Sequence, residues 1–488
     1  MDRRAAMESR WPRLALALSL LLLVALVCAG LDQLAWGDDE GVFVYTAQAV
    51  LRGHPLYSTV WFNYLPGFVR WLQGVFALVG VSLSAARLSV LLLTVGALLG
   101  LWWSSRDTLS PWGSTLMIAL LVASTHVVSL SGAVMADVPS AALAAVAVAA
   151  AVSSMEGERA LRRLACSGLC MALSLWFKPT TAASALALLM AALVAPDGRQ
   201  RWRRLLVLGG TLGGGLLLTL LFEDVAGLSA QFLQSWRASQ GVFSLDLGEN
   251  LHDLWRYWVD DKYSQWHVAL LASAVWGWLA LWRRERRQAV VVGAWLLAVL
   301  GSLILHAPLY RHHLVQLQFP CAYLAAIGVL EAFALCRGAQ RQAGGVWRAL
   351  ATLLLIGLLF ESGRGIHSSG WRLQAIEADH LPESVQAIDY LEQRTSPGDL
   401  VITDGHILAL RAGCDIPPET TNTSRMRIKT GQLDDATLIA VAERDAPQAI
   451  VFWEKKLDSL DAFAHWVEAH YDLGVAYSER FRIYVLSE

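Results

Sequence analysis

Long apolar runs separated by short polar joins fill the first three quarters of the chain. Runs of membrane-spanning length fall at about 11–31, 85–103, 112–130, 138–154, 161–177, 180–195, 204–222, 265–282, 288–306, 313–335 and 346–361. They predict eleven transmembrane helices, with the tightest joins at Ser131–Val138 and Lys178–Thr180. Between the first two spans the pattern changes. Val42, Tyr45 and Ala49, with Ala47, Val50 and Leu51, recur at roughly helical spacing and predict an amphipathic helix lying on the membrane surface. The run Phe62–Gly80 starts poor in apolar residues and predicts a juxtamembrane helix. From about Gly365 the chain turns polar. Helical patterns at Pro382–Arg394, Asp434–Asp445 and Leu460–His470 alternate with strand patterns at Asp399–Thr403, Gln448–Trp453 and Phe481–Leu486. That alternation predicts a small α/β domain. The expected architecture is therefore a polytopic α-helical membrane protein over 1–364, whose outer loop at 32–84 carries the juxtamembrane helices. A C-terminal extracytoplasmic α/β domain follows over 365–488.

Composition agrees. Only 16% of the 488 residues are charged and the mean hydropathy is +0.44, whereas soluble domains carry roughly 25% charge. A net charge of −2 gives no reason to expect a nucleic-acid partner. The 21 tryptophans suit two membrane–water boundaries. Of the cysteines only Cys414 lies in the polar tail, so no disulfide framework is expected there. The Cys166/Cys170 pair reads as helix packing. Arg3, Arg4, Arg10 and Arg13 precede the first apolar run, which is long and lacks a good cleavage pattern, so it reads as an uncleaved first span. Gly209–Gly215 reads as a close-approach stripe on a span, since the Lys-Ser/Thr of a phosphate loop does not follow it.

Arginines cluster at 3–13, 106, 159–163, 199–204, 283–287 and 337–348. With eleven spans all of them fall on one side, which the positive-inside rule makes cytoplasmic. The N-terminus is then expected in the cytoplasm and the tail outside. The outer side also receives Asp38–Glu40, Asp137, Lys178 and the His306–His313 turn.

Those outer residues are the candidate chemistry. Asp38, Asp39 and Glu40 stand where the first span ends and a helix begins. The helix N-terminus favours an ionised carboxylate, so one of them is available as a base; on spacing alone a plain helix cap is the readier explanation of Asp38 or Asp39. Charges in or beside spans cost roughly 2.5–3.5 kcal/mol each on insertion scales. Asp137, Lys178 and the Arg311-His312-His313 run therefore need a reason. Taken singly, each fits an interfacial cap or a snorkelling side chain. Taken together they place two kinds of acid and two cations on one membrane face. Such a cavity can hold a phosphate and activate a hydroxyl. The histidines fit metal ligation, a hydrogen bond to phosphate, or plain loop placement.

Several motifs in order resemble the GT-C glycosyltransferases, and within them the protein mannosyltransferase-like bacterial enzymes that include the lipid A aminoarabinose transferase. These are Asp39-Glu40-Gly41 after the first span, Leu51-Arg52-Gly53-His54-Pro55-Leu56-Tyr57, and Asn63-Tyr64-Leu65-Pro66-Gly67. Ala86-Arg87-Leu88-Ser89, Met135-Ala136-Asp137-Val138-Pro139, Phe177-Lys178-Pro179 and Arg311-His312 follow, over roughly 30–360. In the tail, Pro397–Asp404 resembles the strand that opens the outer domain of these enzymes. The resemblance implies a polyprenyl-phosphate-linked sugar as donor and a glycan, lipid or protein hydroxyl as acceptor. It also implies transfer on the outer face of a bacterial inner membrane. By resemblance Asp39 is the catalytic base, within the pair Asp39-Glu40, and Asp137 a second acid at the reaction centre. Lys178, Arg311, His312 and Arg52 become donor-phosphate contacts, and Asp38 and Tyr64 acceptor or loop contacts. Where several relatives carry Lys before the Pro of the first loop this chain has Leu65, so another cation must serve. No Asp-x-Asp pair marks a metal site, and no metal or other cofactor is assigned. Two rivals are a transporter or lipid flippase using Asp137 and Lys178 as a charge relay, and a scaffold whose outer domain binds a partner.

Overall fold

The computed structural model of the chain describes residues 10–32, 39–155, 159–194, 197–221, 223–242, 245–259, 267–337, 345–379, 381–478 and 481–487. Asp38 lies outside the described residues. The helices are α1 (Arg10–Cys28), α2 (Asp39–Leu51), α3 (Gly67–Val79), α4 (Leu83–Val122), α5 (Thr125–Ser131), α6 (Asp137–Ser153), α7 (Ala160–Phe177), α8 (Ala185–Leu193), α9 (Gly198–Leu220), α10 (Val225–Val242), α11 (Leu247–Trp258), α12 (Val268–Arg284), α13 (Arg286–Ile304), α14 (Val315–Cys336) and α15 (Gly345–Asp379). Among the described residues seven helices are long and apolar enough to cross a membrane, with shorter apolar helices at Gly67–Val79, Asp137–Ser153 and Pro179–Leu193.

The seven include α4, and α4 is a hairpin. Ser110 breaks it with φ 65° and ψ 161°, and Pro111 follows. Trp102 Nε1 donates to Thr115 Oγ1 at 3.0 Å, and the Ser105 and Ser114 hydroxyls meet at 2.8 Å. Residues 13 apart on a straight helix would be about 20 Å apart. The two apolar runs read at 85–103 and 112–130 are thus folded against each other. Small residues set the packing elsewhere. Alanine-rich α6 is buried along nearly its whole length. On α12 and α14, a Cβ at Gly277 would stand 1.9 Å from the Leu324 carbonyl oxygen, and one at Gly328 would stand 2.1 Å from that of Ser273. These backbones touch because neither residue has a side chain. The Gly209–Gly215 stripe approaches α7 closely on one side: a Cβ at Gly168 would stand 2.1 Å from Thr211 Oγ1 and 3.1 Å from the Leu212 nitrogen, and one at Gly215 would stand 2.7 Å from Ala172 Cβ, while Gly209, Gly210, Gly213 and Gly214 meet nothing within 4 Å.

After α15 come α16 (Leu381–Arg394), β1 (Val401–Thr403), α17 (His406–Arg411), α18 (Arg425–Lys429), α19 (Asp435–Asp445), β2 (Ala449–Phe452), α20 (Asp461–His470), β3 (Tyr471–Ala476) and β4 (Arg482–Leu486). The sheet order is β1-β2-β4-β3, with β1 and β2 parallel and the other pairs antiparallel. Strand β3 was not expected from the sequence. It is an edge strand, mostly exposed after Tyr471, and carries Asp472 and Gly474, so neither alternation nor an apolar run marks it. The division read at 364/365 falls inside α15.

Helix α2 is not the surface helix its periodicity predicted. Val44, Tyr45, Thr46, Ala47, Ala49 and Val50 are all buried, because the tail domain sits on it. A Cβ at Gly41 would lie 2.6 Å from His406 Cβ and 2.8 Å from the Ile407 backbone nitrogen, so α17 rests directly on the start of α2. Tyr45 Oη donates to the Cys414 carbonyl at 2.7 Å, Gln48 Nε2 to Asp415 at 2.9 Å, and Arg52 pairs with Asp415 at 2.8 Å. A second attachment joins the Trp61 indole nitrogen to Gln432 at 2.6 Å, with the Arg427 guanidinium over the Trp61 ring.

The other face of α2 is tied to the bundle by one ion pair. Arg87, near the start of α4, donates to both Glu40 oxygens, through Nε at 2.9 Å and Nη2 at 2.5 Å. Its Nη1 donates to the Leu31 carbonyl at 2.6 Å, and the Val134 N–H donates to Glu40 at 2.8 Å. Both side chains are 0% exposed. Removing one partner of such a pair leaves a buried charge uncompensated and costs about 3–5 kcal/mol. Arg87→Ala should therefore lower the thermal midpoint in detergent by several degrees. Replacing both residues with leucine should recover much of that loss. A single variant as stable as the wild type would refute this account of how α2 is held.

Candidate active site

The start of α2, the start of α6, the end of α7 and the turn before α14 meet at the end of the bundle beneath the tail domain. Asp39 is the first residue of α2, where free backbone N–H groups favour a carboxylate. Its side chain is exposed and has no hydrogen-bond or ion-pair partner among the described residues. Its neighbour Glu40 points the other way, into the pair with Arg87. The two acids read together in the sequence therefore face different surroundings, one open and one sealed.

Asp137 opens α6 and is 2% exposed. Its Oδ1 accepts from Lys178 Nζ at 2.7 Å, while its Oδ2 is buried with no partner among the described residues. Lys178 caps the end of α7 in extended conformation, just before Pro179 starts a 3-10 turn. Proline at that point forbids further α-helix, which turns the lysine back towards Asp137. Tyr64 belongs to the same cleft. It is 36% exposed and lies within reach of the charges of Asp39 and Asp137.

The third side is the turn between α13 and α14. Arg311, His312 and His313 form the 3-10 turn Arg311–Leu314. His312 stacks on Tyr310 at 5.6 Å between ring centres, and His313 contacts His306 at 4.4 Å. The charges of Asp137, Lys178 and Asp39 all act on the His312 ring. Asp39 likewise acts on Tyr310, whose phenol burial pushes up and which Arg425 and Lys456 pull down. Those two cations come from the tail. The loop that carries Lys456 is set by Asp404, a fully buried carboxylate accepting the N–H groups of Trp453, Lys456 and Leu457 at 2.6, 2.8 and 3.1 Å.

The structure thus brings Asp39, Asp137, Lys178, Tyr64 and His312 into one cleft, with Arg311 in the same turn as His312. It does not bring Arg52 there. Arg52 follows the far end of α2, about 20 Å from Asp39 along the helix, and is bound to Asp415. Sequence reasoning missed Tyr310, Arg425 and Lys456. Tyr310 adjoins the Arg311-His312 motif and was within reach of it. The tail cations have no local mark, because only the docking of the tail places them. Among the described residues no group of three or more His, Cys, Asp and Glu side chains is arranged to hold a metal ion.

Residues 65–222 match the family described as Dolichyl-phosphate-mannose-protein mannosyltransferase. No curated protein matches the chain in sequence. In three dimensions the chain is similar to ArnT from Cupriavidus metallidurans. The apo structure of ArnT gives a TM-score of 0.62 at 14% identity, and the structure bound to undecaprenyl phosphate gives 0.61 at 13%; each alignment covers 98% of both chains. It is also similar to the archaeal oligosaccharyltransferase AglB from Archaeoglobus fulgidus in complex with an inhibitory peptide and a dolichol-phosphate. There the TM-score is 0.52 at 11% identity, over 99% of this chain and 75% of that one. The architecture is the GT-C fold: a helical membrane bundle with a small C-terminal domain, as the motif order implied.

The histidine turn makes the site sensitive to acid. Burial, then the charges of Lys178 and His312, hold His306 below its ordinary pKa. The folded protein therefore binds that proton less readily than the unfolded chain. Stability is complete above about pH 6.5 and falls as the pH drops below it. His306→Gln should flatten the decline in thermal midpoint between about pH 7 and pH 5. An unchanged slope would remove His306 as its source.

Proposed function

We propose that the cleft transfers a sugar from a polyprenyl-phosphate-linked donor to an acceptor hydroxyl at the outer face of a bacterial inner membrane. The observation that carries this reading is the meeting of an open carboxylate, Asp39, with the buried Asp137–Lys178 pair and the His312 turn, on a GT-C fold. Asp39 takes the proton of the acceptor hydroxyl as its oxygen bonds to the anomeric carbon. The bond from that carbon to the phosphate oxygen breaks, and its electron pair leaves with the lipid phosphate. Lys178 and Arg311 stabilise the charge gathering on that phosphate, with His312 as a further donor. Asp137 orients Lys178, and its unpartnered Oδ2 faces the reaction. Tyr64 lines the acceptor side. Asp38, outside the described residues, keeps its place beside Asp39 only by adjacency in sequence.

Two earlier assignments change in this reading. Glu40 holds α2 in place and does not react, because Arg87 and the Val134 N–H already occupy its oxygens. Arg52 anchors the tail through Asp415. The N-terminus lies in the cytoplasm and residues 365–488 form the outer domain, a reading supported by the arginines gathered at the opposite end of the bundle from the cleft. A charge relay through Asp137 and Lys178 fits less well: the pair stands at the ends of α6 and α7, and transporter sites lie near the midplane.

Asp39→Asn should reduce sugar transfer by roughly 10²–10⁴-fold while the protein keeps its thermal midpoint and its binding of a mannose- or glucose-linked polyprenyl phosphate. Lys178→Ala should weaken donor binding. Full activity in the Asp39 variant would overturn the assignment of the base, and unchanged donor affinity in the Lys178 variant would remove its phosphate role.

A further inference from the structure

The end of the bundle remote from the cleft carries a cavity that the transfer reaction does not use. Its volume is about 360 Å³. A separate cavity of about 420 Å³ at the tail has its arginines, Arg52 and Arg444, both paired with carboxylates, whereas here only some of the arginines are paired. The cavity at this end is lined by Trp103, Arg106, Asp107, Arg159, Arg162 and Arg163. It lies between the first arm of α4, the end of α6 and the start of α7. Helix α6 starts at Asp137 in the cleft and ends at Ser153 beside this cavity, so about 25 Å separates the two.

The arginines divide into two kinds. Arg163 is committed: it donates to the Ser153 carbonyl at 2.9 Å and pairs with Asp107. Arg106 lies 3.5 Å over the Trp103 ring and 3.7 Å from Asp107. Arg159 and Arg162 are exposed and have no hydrogen-bond or ion-pair partner among the described residues. Even with Glu156 and Glu158 of the adjoining sequence counted beside Asp107, arginines outnumber carboxylates four to three. The cavity also opens onto apolar surface. Trp103 is 63% exposed, and Leu99 and Leu92 continue the same helical face of α4, at 44% and 70%. On α7 the exposed Leu169 and Leu173 do the same. A guanidinium-lined hollow flanked by two apolar stripes along membrane helices has the shape of a headgroup seat with tracks for acyl chains.

We infer that this cavity binds the phosphate of an anionic glycerophospholipid in the membrane leaflet opposite the cleft. Arg159 and Arg162 hold the phosphate oxygens, a geometry for which the planar guanidinium is suited. The Trp103 indole sits at the interface, where tryptophan is favoured. The apolar stripes separate a lipid from a free phosphate, which would gain nothing from them.

Native mass spectrometry of the purified full chain, offered equal amounts of phosphatidylglycerol and phosphatidylethanolamine with the same acyl chains, tests this. The wild type should retain phosphatidylglycerol in at least about fivefold excess, the scale of one arginine's attraction to an anionic surface. R159Q/R162Q should bring the two lipids to parity. Parity in the wild type, or undiminished preference in the variant, overturns the proposal. Displacement of the lipid by an equal concentration of glycerol 3-phosphate overturns its lipid character and leaves a site for soluble phosphates. Should the variant not fold, a salt series on the wild type decides: a preference lost with rising salt supports the seat, and one indifferent to salt overturns it.

Discussion

The Glu40–Arg87 pair fixes how the start of α2 sits against the bundle. It is dry, doubly hydrogen-bonded, and joined to the Leu31 carbonyl and the Val134 N–H. Four separate stretches of chain converge on it: the exit of α1, the start of α2, the start of α4 and the approach to α6. Desolvating two charges is costly, and the complete hydrogen bonding of the pair offsets that cost only in one arrangement. The pair therefore acts as a registration point. One residue earlier, Asp39 is left exposed at the helix start, and three residues after Val134 the chain reaches Asp137. The open acid and the buried acid of the cleft are both set from the same ion pair.

Much of this was legible in the chain itself. The apolar runs marked the helices because a spanning segment must be apolar over its length. The three long tail helices and the strands β1, β2 and β4 were marked by their periodicity. The isolated charges Asp137, Lys178 and the Arg311-His312 run stood out because charge beside a span is costly, and the structure gathers them. What was not legible depends on contacts between distant parts of the chain. Helix α2 reads as a surface helix since its polar residues, such as Gln48, look solvent-facing; they face the tail. Arg87 reads as part of a motif with no stated task. Arg425 and Lys456 are ordinary surface cations until docking brings them to Tyr310.

Helices α6 and α7 give the protein its polarity. At one end they present Asp137 and Lys178, paired and nearly dry; at the other they present the arginines at 159–163. The same two rods, packed on alanine and small residues, hold two unlike electrostatic surroundings a membrane's width apart. Each end needs the rigidity of the middle. The close packing of α6 serves that purpose, since buried alanines leave little room for one end to shift against the other.

The contact at Gly41 has a consequence for how substrates arrive. His406 rests on the backbone of α2 with no side chain between them, and Tyr45, Gln48, Arg52 and Trp61 fasten the tail around it. The tail domain is thus a fixed roof over α2. In the proposed transfer the lipid-linked donor would enter sideways from the bilayer, and the acceptor through the gap between the tail and the bundle. On that reading the breadth of the gap, a property of the docking and not of the cleft residues, would set which acceptors are slender enough to reach Asp39.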